Sequence, residues 1–185
     1  MNSLLRKVYL HRANFYARKI LPHLRENEKM LDIGAGSGYL GEILSRKVKV
    51  TLIDIVDYNQ TRLPLSIYDG KKLPYRDSSF DVGIIVAVLH HTPNPEKFLQ
   101  EVRRVCKRII IVEEVYSTIL GRIFIDGWEW FWNKTSGIST FYNFHSTEEW
   151  KDIFDNIGMY ISHYEKFSST LKTLRMNLFV LDRKK

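Results

Sequence analysis

"MLDIGAGSGYLGEIL", residues 30–44, holds two overlapping glycine patterns, and the choice between them sets how the chain meets a ligand. One frame is Gly34-x-Gly36-x-Gly38 following an acidic residue, Asp32. The other is Gly36-x-Gly38-x-x-Gly41, the spacing of a dinucleotide fingerprint. In a doubly wound fold the ligand lies beyond the carboxyl ends of the strands, where short glycine turns let backbone amides come close. The Gly36 frame runs the first strand to Ala35 and leaves Asp32 within it, a buried carboxylate in need of a partner. The Gly34 frame ends the strand near Ile33, sets Asp32 at the ligand edge and makes Gly34-Ala35-Gly36 the turn. Gly38 and Gly41 then fall in the next turn and helix, with Gly41 there for close packing.

The rest of the chain favours the Gly34 frame. Oxidoreductases that use the dinucleotide spacing usually carry a separate substrate domain, and 185 residues fit a single domain with a sizeable core. The content is 44% hydrophobic and 13% aromatic, which excludes a disordered chain. A formal charge of +7 favours acidic partners: RNA, DNA, anionic lipid or anionic metabolites. Cys106 is the only cysteine, so no internal disulfide forms and no cysteine-based zinc site is expected. It falls in an amphipathic helix pattern and reads as a buried thiol. No apolar stretch is long enough for a membrane span, and the first residues lack a secretory pattern, so the cytoplasm is the expected location.

Periodicity divides the chain into alternating elements. Residues 3–22 form an imperfect amphipathic helix, with Leu4, Leu5, Val8, Phe15, Ile20 and Leu21 among basic residues and an end near Pro22. A short strand at 29–33 enters the glycines, a helix covers 38–46, and "KVKVTLID" at 47–54 is a strand closing on Asp54. The segment 58–68 is ambiguous, and 68–80 is polar and rich in turn residues. "DVGIIVAVLHH", 81–91, reads as a central parallel strand covered on both faces. Pro95 opens a helix carrying Phe98, Leu99, Val102, Val105 and Cys106 on one face, and 108–114 is another buried strand. Ser146-x-x-Glu149 predicts a capping box and a helix to about Asn156, ended by Gly158. Residues 159–166 and 174–181 read as a hairpin, giving an α/β domain with an antiparallel edge.

Taken in this order, residues 30–114 resemble class I S-adenosylmethionine-dependent methyltransferases, especially the small-molecule and quinone group. "LDIGAGSG" is similar to the family's first motif, "TLIDI" to its acidic second strand, and "DGKKLPYRDSSFDVGIIVAVLHH" to its third and fourth strands. The resemblance implies a doubly wound Rossmann-like methyltransferase fold spanning 1–185 as one domain. Its mostly parallel seven-stranded sheet would end in an antiparallel C-terminal strand, with an aromatic-rich substrate cover at 115–145. It implies S-adenosyl-L-methionine as cofactor. Gly34, Ala35 and Gly36 would line the methionine and ribose, with Gly38 at the following turn. Asp32 would lie near the methionine amino group, Asp54 on the ribose hydroxyls, Ile55 against adenine, Asp69 and Gly70 at the adenine amino group, and Val88 and Leu89 after the fourth strand. Carboxylates suit hydroxyl and amine donors, and apolar side chains suit a base.

The acceptor is less defined. His90 and His91 follow the fourth strand and His145 precedes the capping box. A neutral imidazole at any of the three can take or orient a proton, although packing is the commoner use of such residues. Trp128, Trp130, Phe131, Trp132, Phe141, Tyr142 and Phe144 make an apolar small acceptor attractive. After the fourth strand stands "LHHTPNP" rather than the Asn-Pro-Pro-Tyr type of tetrapeptide found in many exocyclic-amine enzymes of nucleic-acid bases. Three functions stay open: methyl transfer to a small, apolar acceptor, RNA methylation drawn by the basic charge, and a non-catalytic cofactor-binding regulator. The basic residues of the first helix also suit an anionic membrane surface.

Overall fold

The computed structural model describes residues 3–116, 143–170 and 175–184, which form two compact units. Unit 1 comprises Met1–Ile85 and Glu101–Ile110, and unit 2 comprises Val86–Gln100 and Ile111–Lys185. Most of the expected cover, including its tryptophans, lies outside the described residues.

Unit 1 opens with α1 (Ser3–Ile20) and a single 3-10 turn at Leu21–His23, the chain leaving the α-helix just before Pro22. The strands β1 (Lys29–Ile33), β2 (Lys49–Asp54) and β3 (Leu65–Ile67) follow, with α2 (Tyr39–Leu44) between the first two. Next come β4 (Phe80–Val86), α3 (Pro95–Val105) and β5 (Cys106–Tyr116), each of which runs from one unit into the other. Strand order here is β3-β2-β1-β4-β5. The pairs β1–β2, β1–β4 and β2–β3 are all parallel, as a doubly wound sheet requires. Met30, Leu31, Ile33, Leu52, Ile53, Val82 and Ile84 are fully buried, the signature of strands covered on both faces.

Two expectations are corrected in this unit. Of the apolar residues read along the first helix, Leu4, Leu5 and Val8 are 68%, 52% and 49% exposed, and only Ile20 is buried. The buried face is instead Ala13, Tyr16, Ala17 and Ile20, because two alanines one turn apart permit close approach, here to α2. Hydropathy gives those alanines little weight. Cys106 is buried as expected but is the first residue of β5 rather than the last of a helix. Its Sγ lies against Gly83 of β4, where an added Cβ would come within 2.8 Å of it.

Gly41 has the packing role that the sequence indicated. A Cβ there would press on Leu52 Cδ2, stand 3.0 Å from Asp32 Oδ2 and 3.2 Å from Val50 Cγ1. Gly41→Ala is therefore expected to cost about 1–3 kcal/mol, the range for overpacking a well-filled interior, measured by denaturant unfolding.

Unit 2 contains the end of β4, a 3-10 turn at Leu89–His91, the start of α3 and the end of β5. It continues with β6 (His145–Ser146), α4 (Thr147–Asn156), β7 (Met159–Ser168) and β8 (Arg175–Arg183). Strand order is β5-β8-β7, and β6 pairs parallel with β5 through Val115 with His145 and Tyr116 with Ser146. The β7–β8 pair is antiparallel from Met159 opposite Arg183 to Ser168 opposite Arg175. The expected capping box is complete: Ser146 accepts from Glu149 N–H, and the Glu149 carboxylate accepts from Ser146 N–H. Gly158 ends this last helix at φ 71°, as expected. Trp150, Phe154 and Phe179 fill the core in a chain of ring contacts. No helix among the described residues is long and apolar enough to cross a membrane.

Candidate functional site

The glycine turn is fastened to the end of β2. Gly34 and Ala35 N–H both donate to the Ile53 carbonyl, at 2.9 and 3.2 Å, because β1 stops at Ile33 while β2 continues alongside. Gly36 N–H donates to Asp54 Oδ2 at 2.8 Å, and Ile55 N–H donates to Asp54 Oδ1 at 2.7 Å. Gly36 has φ 51°, and a Cβ added to it meets nothing within 4 Å, so this side of the turn is open. Gly38 N–H donates to the Ala35 carbonyl at 2.9 Å and starts α2.

Around Asp54 the surface is apolar and exposed. Ile55 is 58% exposed, and Gly70 is so close that a Cβ on it would sit 3.2 Å from Ile55 Cγ2. Asp69, just before it, accepts from Lys71 and Lys72 N–H. Those amides hold its carboxyl below the usual range. Of the predicted cofactor residues, Gly36, Asp54, Ile55 and Gly70 thus share one short stretch of surface in unit 1.

Asp32 is placed differently from the sequence reading. It is the penultimate residue of β1 and only 3% exposed, so it is within the strand and not at an edge. Its Oδ2 has no hydrogen-bond partner among the described residues. Burial, then the nearby Asp54 charge, push its pKa up to about 7, against the pull of Gly41 N–H. The sign is that of a penalty for the ionised form. Unfolded Asp32 loses its proton near pH 4 and folded Asp32 near pH 7, so folding stability declines across that interval and levels off above it. Asp32→Asn should flatten this decline, which unfolding midpoints at pH 5 and pH 8 would register.

A second cluster lies wholly in unit 2. The apolar run after β4 breaks at Ala87, which takes φ 55° and donates its N–H to the Val112 carbonyl at 2.8 Å. The long strand expected over 81–91 therefore stops at Val86 and turns. Glu113, fully buried on β5, holds that turn: its Oε1 accepts from Val88 and Leu89 N–H at 2.7 and 2.6 Å. Its Oε2 lies 2.8 Å from His90 Nδ1. Val88 is half-buried and Leu89 fully buried.

The three histidines differ sharply. His90 is 3% exposed and stacks on Phe144 with ring centres 4.8 Å apart. His91 is half-buried, and its Nδ1 has no partner among the described residues. Burial, then the adjacent His90, lower its pKa to about 4 against the opposing pull of Glu113, so it is neutral at pH 7. His145 Nδ1 lies 2.8 Å from the Asn143 carbonyl, and its ring tilts against Trp150. Asn143 in turn donates its N–H to the His90 carbonyl and Nδ2 to the Thr92 carbonyl.

Sequence reasoning missed Glu113, which looked like one more residue of a buried strand. A carboxylate inside an otherwise apolar run was the available signal, since buried charges need partners. It also missed the loop after Asp54, where Asn59 Oδ1 accepts from Thr61 N–H and Oγ1 and Gln60 N–H donates to the Ser37 carbonyl. Asp57-x-Asn59-x-Thr61 carries the residue types that build such side-chain turns.

A family model described as "Methyltransferase domain" matches residues 31–109. A ubiquinone/menaquinone biosynthesis C-methyltransferase of Neisseria meningitidis is 27% identical over 132 residues, covering 60% of this chain and 54% of its own. A sterol 4-C-methyltransferase of Caenorhabditis elegans is 31% identical over 98 residues, 45% of this chain and 29% of its own. The chain spans about half the length or less of the curated relatives it matches. Among solved structures, the YcgJ protein of Bacillus subtilis superposes with a TM-score of 0.74 at 15% identity, over 95% of this chain and 99% of that one, and so shares the fold.

Proposed function

We propose that this chain, which belongs to the class I S-adenosylmethionine-dependent methyltransferase family, transfers a methyl group from S-adenosylmethionine to a small organic acceptor. The observation that carries the reading is the Gly36 N–H bond to Asp54 Oδ2, which joins the glycine turn to the acidic end of β2. The residues fit the cofactor. Each Asp54 oxygen takes a backbone N–H and keeps acceptor capacity for a vicinal pair of ribose hydroxyls. Exposed Ile55, beside Gly70, offers an apolar face to a base, and the open side of Gly36 admits close approach. The orphaned Asp32 oxygen suits an ammonium group reached through the turn or a water, which would lower its raised pKa.

The cofactor supplies a methyl group already activated on a sulfonium. The chain must align the acceptor and, where the nucleophile is poor, receive its proton. His91 is the best placed of the three histidines for that, being neutral with a ring nitrogen lacking a partner among the described residues. His90 is read as a positioning residue, because its Nδ1 is committed to Glu113 and its face to Phe144. The relatives' names, a sterol and a quinone C-methyltransferase, support an apolar acceptor.

Transfer from radiolabelled S-adenosylmethionine into lipid, polar-metabolite and RNA fractions tests the proposal. Label in a small-molecule fraction is expected. Label confined to RNA would replace this reading with RNA methylation, and no label despite tight cofactor binding would favour a regulator.

A further inference from the structure

The positive charge of the chain is concentrated in one segment. Of the 28 lysines and arginines, six lie in residues 1–25, ahead of the first acidic residue, Glu26. The other 22 are set against 21 acidic residues, so nearly all of the +7 charge belongs to α1 and the turn after it.

Only half of α1 is packed. Ala13, Tyr16, Ala17 and Ile20 bury the second half, whereas residues 3–9 are exposed at every position. Leu4 and Val8 stand nine residues before Ala13 and Ala17, about two and a half turns, and so lie on the opposite face of the helix. Half-buried Phe15 continues their line. Exposed Lys7 and Arg18 border that line on one side, and exposed Leu5 and Arg12 on the other. Arg6, Lys7, Arg12 and Arg18 enter no ion pair among the described residues. An apolar line bordered by cations, with no acid on the helix, is the pattern of a helix lying in a membrane interface. Its apolar side chains enter the acyl boundary while the basic ones reach the headgroups.

Charge selects the occupant of this face. A second copy of the chain would bring two helices of like charge together. RNA would answer the cations but leave Leu4, Leu5 and Val8 in water. A bilayer with anionic lipid answers both. We propose that α1 docks the chain on such a bilayer, with Leu4, Leu5 and Val8 in the acyl boundary and Lys7, Arg12 and Arg18 against lipid phosphates. Apolar insertion and charge act together, since stable anchoring takes two signals.

Co-sedimentation of the full chain with phosphatidylcholine vesicles, with and without phosphatidylglycerol, tests this. Binding should be about tenfold or more tighter with the anionic lipid, and should weaken in salt. Leu5→Ala/Val8→Ala keeps the charges and the helix propensity, and should lower affinity for the mixed vesicles about tenfold. Lys7→Gln/Arg12→Gln should lower it similarly and narrow the preference for anionic lipid. All four positions are exposed, so unfolding midpoints and S-adenosylhomocysteine affinity should be unchanged, which separates docking from cofactor binding. Absence of wild-type binding, or full binding by the alanine pair, would overturn the proposal. Tighter binding to single-stranded RNA than to the mixed vesicles would overturn it in favour of RNA. A dimer in solution that the alanine pair abolishes would overturn it in favour of a second copy.

Discussion

Asp54→Ala should weaken S-adenosylhomocysteine binding by about 100-fold, or about 2.7 kcal/mol. Two losses combine. The ribose hydroxyls lose an ionised acceptor, and hydrogen bonds to a charged partner are worth about 1.5–3 kcal/mol. The Gly36 and Ile55 amides also lose the carboxylate that sets the shape of the turn. Asp54 is half-buried at the strand end, so its loss should move the unfolding midpoint far less than it moves affinity. Asp54→Asn keeps one acceptor oxygen but brings an NH2 toward the Gly36 and Ile55 donors, and should fall between wild type and alanine. Unaltered affinity in the alanine variant, measured by calorimetry, would detach the β2 terminus from the cofactor.

The largest stability effect is expected at Glu113. Its side chain is fully buried and accepts from the amides of Val88 and Leu89 and from His90 Nδ1. Glu113→Ala removes all three acceptor contacts and leaves buried donors unmatched, a loss of about 3–5 kcal/mol. At about 2–4 °C per kcal/mol for a chain of this size, the melting temperature should fall by about 6–20 °C. Glu113→Gln retains one acceptor oxygen and the side-chain volume, and should lose less. The alanine variant should also relax the left-handed turn at Ala87, since a strained residue persists only where its surroundings hold it. A loss below about 1 kcal/mol would mean that the turn after β4 stands without its carboxylate.

The part of the fold written in local pattern was legible in the sequence. The strand at 29–33, the helix from Pro95 and the Ser146–Glu149 capping box each follow from a few neighbouring residues, and each is found within a residue or two of where it was read. Features decided by partners far along the chain were not legible. Glu113 acts on residues some 25 positions earlier, and no local period marks which strand carboxylate will meet a turn. Ala87 is apolar like its neighbours, so periodicity extends the strand through it, whereas a backbone dihedral ends it. Along α1, leucine and valine outweigh alanine in hydropathy, while close packing of helix on helix selects Ala13 and Ala17. Asp32 shows both sides. The position of the strand end was read from its charge, but the carboxylate is inside the strand, and the raised pKa records the cost. The candidate site was legible at Gly36, Asp54, Ile55 and Gly70, whose grouping follows from the ends of adjacent parallel strands.

The choice of glycine frame is tested most directly by calorimetric titration of the wild-type chain with S-adenosylhomocysteine and, separately, with NAD. The end of β1 at Ile33, which makes Gly34-Ala35-Gly36 the turn, predicts stoichiometric binding of S-adenosylhomocysteine and none of NAD. Binding of NAD in preference would contradict the account and return Gly36-x-Gly38-x-x-Gly41 to the role of a pyrophosphate turn.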